Sequence, residues 1–157
     1  MSRAAAARDL ITPETIGCEL ATEVLHSFGT LRLRITGTSM LPIVWPGDIL
    51  TVSTHDAAKA LPGDIVLFHR RGRLVAHRVI ERTIGPNEIR WVTRGDAVGD
   101  NDAPVSSEEL LGRVTAVERG SRRPSLHPSL ASRFISWTLR SSDFCKRLLL
   151  HVGKLRR

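Results

Sequence analysis

Ile65-Val66-Leu67-Phe68-His69-Arg70-Arg71-Gly72-Arg73-Leu74-Val75-Ala76-His77-Arg78-Val79-Ile80 holds two apolar, β-branched and aromatic runs on either side of an Arg-Gly tip. Runs of that length and composition fit strands, and a two-residue tip ending in glycine fits a tight hairpin. Working outward, Leu31, Leu33 and Ile35 alternate with arginines, the period-two pattern of a half-buried strand. Ile49-Leu50-Thr51-Val52 follows Pro46-Gly47-Asp48, and Ile65 follows Pro62-Gly63-Asp64. Each Pro-Gly-Asp triplet reads as a turn delivering the chain into a strand, its aspartate bonding its own backbone. Further strands are expected at Glu88 to Thr93 and Gly112 to Val117. The fold class is therefore mainly β, a compact body of mostly antiparallel strands over residues 31–118.

Both flanks read as helical. Thr12-Pro13-Glu14 supplies a capping hydroxyl, a proline at the first helical position and an acid in the first turn. Ile16, Leu20, Val24, Leu25 and Phe28 recur at helical spacing until Gly29, so residues 1–30 form an extension and an amphipathic helix expected to cover one face of the body. Residues 119–157 form the third region. Ser121 to Ser125 is a linker, and Pro128 opens a helix with Leu130, Phe134, Trp137, Phe144, Leu148 and Val152 along one stripe. Arg133, Arg140, Lys146 and Arg147 supply its cations. Such a helix either lies in a bilayer interface or packs its stripe on the β body.

A chain of 157 residues fills one core and hardly two. Cys18 and Cys145 are too few and too far apart for a disulfide framework or a metal cluster, and both are expected to be reduced. Met1-Ser2-Arg3 and the following alanines lack a long apolar segment and run into Arg8-Asp9, so no secretory signal is expected. Nor do about 18 consecutive apolar residues occur anywhere, so no transmembrane helix is expected. The net charge of +7 is uneven: residues 119–157 hold ten of the 23 basic residues and one of the 16 acids. A basic tail on a mildly acidic body favours an anionic partner.

The chemistry centres on Gly37-Thr38-Ser39-Met40-Leu41-Pro42. Gly37 permits an unusual backbone just before Ser39 and Pro42 stiffens the chain after it, presenting the hydroxyl on a defined turn. Serine is a poor nucleophile until an adjacent base takes its proton, and that base needs a third group to hold it. His77 is the candidate base, and Asp96 and Asp102 are the candidate carboxylates. Backbone N–H groups of Ser39 and Met40 are the candidate oxyanion donors. His55, His69 and His77 have no cysteine or paired carboxylate at metal-ligand spacing, and no glycine loop for phosphates occurs, so neither a metal nor another cofactor is expected.

Five segments in order resemble the signal-peptidase and SOS-repressor superfamily of serine peptidases: Gly37 to Asp48, Pro62 to Val66, Ala76 to Ile80, Thr93 to Asp96, and Asn101 to Val105 with Leu111 to Val114. The resemblance spans about residues 31 to 118. Typical bacterial signal peptidases and self-cleaving SOS proteins place a lysine where this chain has His77. Lys59, Lys146 and Lys154 lie in no matching segment, so the base resembles that of the endoplasmic-reticulum and archaeal type of signal peptidase. The resemblance implies Ser39 as nucleophile, His77 as general base and Asp102 as the carboxylate orienting it, with Asp96 the alternative. Gly37 and Thr38 depart from the serine and glycine that signal peptidases show there, and Gly-X-Ser-Met is closer to the SOS-repressor branch.

The expected function is a serine endopeptidase hydrolysing a leader or signal-like segment with small residues near the cleaved bond. Without a membrane anchor, the expected setting is cytoplasmic, peripheral at an anionic membrane. Ala4-Ala5-Ala6-Ala7 is the one small-residue run suited to self-cleavage, but residues 1 to 30 leave room for one helix rather than a helix-turn-helix pair, so a repressor is not expected. Nucleic acid is a disfavoured partner, since the chain has no tyrosine and its aromatics are not interleaved with basic residues. The alternative is a non-catalytic adaptor whose tail binds membrane or nucleic acid.

Overall fold

A computed structural model describes residues 13–86, 88–129 and 135–136. A helix α1 (Pro13–Phe28) precedes strands β1 (Thr30–Arg34), β2 (Ile49–Ser53), β3 (Ile65–Arg70), β4 (Arg73–Ile84), β5 (Ile89–Arg94) and β6 (Leu110–Glu118). The strands form one sheet in the order β1-β2-β6-β3-β4-β5, with every pairing antiparallel. β6 returns between β2 and β3 and so joins the two halves of the chain.

The hairpin forms as its sequence predicts. β3 and β4 pair from Ile65 opposite Arg78 to Arg70 opposite Arg73. Arg71 and Gly72 take φ of 51° and 71°, the two positive values that match a hairpin turn to the twist of its strands. The Pro-Gly-Asp triplets form twin turns: Asp48 N–H donates to Trp45 O and Asp64 N–H to Leu61 O, both at 3.0 Å. Each aspartate then accepts from the first residue of its own turn, Trp45 N–H at 2.8 Å and Leu61 N–H at 2.9 Å.

Alternation along β3 divides the apolar residues between the two sheet faces. Ile65 and Leu67 join Leu25, Met40, Val44, Leu50 and Val52 in one cluster, while Val66 and Phe68 join Val79, Trp91 and Val105 in another. A strand buried on both faces explains why Ile65 to Phe68 reads as a continuous apolar run rather than an alternating one.

One expectation needs correction. Cys18, Ala21 and Leu25 form the buried face of α1, whereas Ile16, Leu20 and Phe28 are 53%, 62% and 76% exposed. The seam is rotated toward small side chains, which let the helix axis approach the sheet, and the bulkier stripe stays outside. On either side of the segment Ser121 to Ser125, Arg119 pairs with the fully buried carboxylate of Asp48, and Leu126 packs against the first cluster. Beyond Ile135 and Ser136, which are helical, the tail stripe lies outside the described residues. Among those described, no helix is long and apolar enough to cross a membrane.

Candidate active site

Ser39 sits on the loop between β1 and β2. Ile35 N–H donates to Asp48 O at 2.8 Å and Gly47 N–H to Ile35 O at 2.6 Å, closing the base of that loop. Met40, Leu41, Ile43 and Val44 are buried beneath it, so the turn is anchored by apolar side chains while Ser39 stays half-buried. Ser39 O accepts from Ala97 N–H at 2.8 Å, tying the turn to the segment after β5. Neither the Ser39 nor the Met40 N–H donates to any described residue, as an oxyanion donor requires.

His77 projects from β4 on the face of Val66 and Phe68, its ring edge-on to the Phe68 ring with centroids 6.2 Å apart. Its Nε2 lies 3.0 Å from Ser39 Oγ, and its Nδ1 lies 2.6 Å from Asp102 Oδ2. Asp102 reaches that position because residues after it run back along β5: Asp102 N–H donates to Thr93 O at 2.8 Å, and Val105 exchanges two backbone bonds with Trp91. The Thr93 hydroxyl donates to the same Oδ2 at 2.7 Å. Arg70 holds the loop from below, donating to Ala103 O and Pro104 O while its guanidinium pairs with Glu109.

Burial pushes the Asp102 carboxyl up, but the hydrogen bonds from His77 and Thr93 outweigh it and hold the group below its ordinary value. Asp102 is then a carboxylate, which only accepts, so His77 Nδ1 carries a proton. In the neutral imidazole Nε2 is then the acceptor, and the Ser39 hydroxyl donates to it. The arrangement can take a proton from Ser39 and return it to a leaving group.

Asp96, the other candidate carboxylate, is held by Arg78. Its Oδ1 accepts from Arg78 Nε at 2.8 Å and its Oδ2 from Nη2 at 2.7 Å, both residues being buried. Arg78 follows His77 directly and also donates to Gly63 O and Leu126 O. Asp96 lies between Gly95 and Ala97, which both touch the nucleophile turn. A Cβ on Gly95 would stand 2.7 Å from Ser39 O. The Arg78–Asp96 pair thus braces the strand carrying His77 against the turn carrying Ser39.

Sequence reasoning did not single out Thr93, Arg70, Arg78 or Gly95 for these contacts. The one available signal was that Thr93, Gly95 and Arg78 fall inside the segments that drew attention to their neighbours. Among the described residues, no group of three His, Cys, Asp or Glu could hold a metal ion.

A cleft of about 550 Å³ opens beside Ser39 and His77, lined by Ile35, Gly37, Met40, Leu74 and Ala76. Along it, among the described residues, Arg73 to His77 pair with β3 alone, since the ladder to β5 starts at Arg78. That leaves an extended backbone edge facing the cleft, suited to strand addition by a peptide.

Comparison with curated proteins finds no match. The profile of one family, described as Peptidase S24-like, matches residues 4–115. That match takes in α1, the turn of Ser39, the strand of His77 and the loop of Asp102, and covers well over half of the 157 residues: the chain belongs to the Peptidase S24-like family.

Proposed function

We propose that the chain is a serine endopeptidase of the signal-peptidase type, working through Ser39, His77 and Asp102 on a leader or signal-like peptide with small residues near the cleaved bond. The observation that carries this reading is the unbroken line of atoms from Ser39 Oγ through His77 Nε2 and Nδ1 to Asp102 Oδ2, at 3.0 and 2.6 Å.

In the first step Ser39 Oγ attacks the substrate carbonyl carbon as His77 Nε2 takes its proton, and the carbonyl oxygen becomes an oxyanion facing the Ser39 and Met40 N–H groups. Collapse of that intermediate breaks the C–N bond, and the imidazolium gives its proton to the departing amine. Water then attacks the acyl-enzyme with His77 again as base, releasing the acid and restoring Ser39. Asp102 keeps the imidazole in the useful tautomer and stabilises its cationic form. Asp96 acts on this reading as a positioning residue through Arg78.

A fluorophosphonate probe tests the nucleophile. Intact-mass analysis is expected to show one adduct on the wild-type chain, none on Ser39→Ala and a much slower one on His77→Ala. Equal labelling of wild type and Ser39→Ala would remove Ser39 from the mechanism and favour the adaptor reading.

A further inference from the structure

The cleft beside Ser39 does not end at the sheet. Its far wall is built from α1: Glu14, Gly17 and Cys18 line the same space as Arg73, Leu74 and His77. Glu14 Oε2 pairs with Arg73 Nε at 2.8 Å, and Gly72 at the hairpin tip lies so close to the helix that a Cβ there would stand 3.1 Å from Thr15 Oγ1. The start of the helix is thereby fastened across one end of the cleft.

Gly17 is the unusual residue on that wall. Glycine inside a helix is disfavoured relative to alanine, so its presence needs a reason. Among the described residues, a Cβ on Gly17 would meet nothing within 4 Å. Packing of α1 on the described residues therefore does not require glycine there, and Gly17 lines the cleft with no side chain of its own. Beside the Glu14–Arg73 pair the opening has apolar walls. Leu33 and Leu74 line it and pack on the core, and burial, with Glu19 adding, pushes the Cys18 thiol up so that it stays neutral.

On the peptidase reading above, we infer that the first turns of α1 form a distal subsite of the peptide cleft. Gly17 makes room there for an apolar substrate side chain between Cys18, Leu33 and Leu74. Arg73 and His77 are four positions apart on an extended strand, roughly 13 Å. A substrate laid along that edge with its scissile carbonyl at Ser39 brings a residue about four positions away to Gly17. The chain of the substrate passes the Glu14–Arg73 pair at the rim.

The test uses the full chain and a proteome-derived peptide library, with cleavage sites read by mass spectrometry and Ser39→Ala as the blank. Wild type is expected to enrich apolar residues about four positions from the cleaved bond on one side. Gly17→Leu is expected to erase that enrichment and to lower kcat/KM for a peptide spanning the subsite, relative to its truncated form, by about tenfold. Gly17→Ala, which favours the helix, is expected to raise Tm by about 1–4 °C, which separates the helix effect from the subsite effect. Wild-type cleavage with the same positional preferences in Gly17→Leu would overturn the subsite while leaving the peptidase reading intact. Absence of any cleavage beyond the Ser39→Ala blank would overturn both.

Discussion

Asp102 accepts from His77 Nδ1 at 2.6 Å, so its carboxylate sets the tautomer of His77. Asp102→Asn preserves the shape but lets the amide favour the opposite tautomer, and the expected loss in kcat is about 10⁴-fold. Steady-state kinetics on a cleaved peptide checks it; a change under tenfold would remove Asp102 from the role. The same group makes a prediction about pH. Its carboxyl is held below the ordinary value of 3.8, so the folded state binds this proton less readily than the unfolded one. That contribution to stability is complete above pH ~4 and is lost as pH falls through the depressed value. Glu109, held down mainly by its hydrogen bond from Arg70, acts in the same direction. Urea midpoints are expected to fall between pH 5 and pH 3, and to fall less in Asp102→Asn.

Among the elements, the decisive contact is between the segment after β5 and the turn of Ser39. Gly95→Ala places a methyl 2.7 Å from Ser39 O and 3.0 Å from Ser39 Cβ. The turn has to move, and misplacement of a nucleophile by about 1 Å costs on the order of 10² in rate. Gly95→Ala is expected to lose about that much in probe labelling while its circular dichroism stays native; wild-type labelling would contradict the brace. This contact also marks how far the sequence could be read. The hairpin, the twin turns and the strands were legible because alternation and Pro-Gly-Asp turns are local signals. Ser39 and His77 stand out in the sequence because each lies in a distinctive segment, and the fold brings their side chains to 3.0 Å. The choice between Asp96 and Asp102 was not legible, because it depends on Arg78 taking both oxygens of Asp96, and on residues 102 to 105 pairing back along β5. The buried face of α1 departs from its periodicity for a related reason: hydrophobic periodicity weighs size, while close packing on the sheet selects Cys18 and Ala21 over Ile16 and Leu20.

Over the whole molecule, charge separates the body from the tail. We propose that the tail directs the enzyme to an anionic membrane surface, where each basic residue near the surface contributes about 1 kcal/mol. The chain is expected to sediment with vesicles rich in phosphatidylserine at low salt and to be released as screening shortens the reach of its charges. Deleting residues 124 to 157 is expected to abolish sedimentation; binding that survives the deletion at high salt would place the contact elsewhere. The deletion also removes the Leu126 carbonyl that accepts from Arg78, so labelling of Ser39 in the truncated chain must be measured beside it. Proteolysis by Ser39 is tested by comparing protein N-termini, by mass spectrometry, in cells that lack the gene and carry either wild type or Ser39→Ala. New termini are expected with wild type alone, following small residues. Identical termini with both chains folded and equally expressed would contradict it.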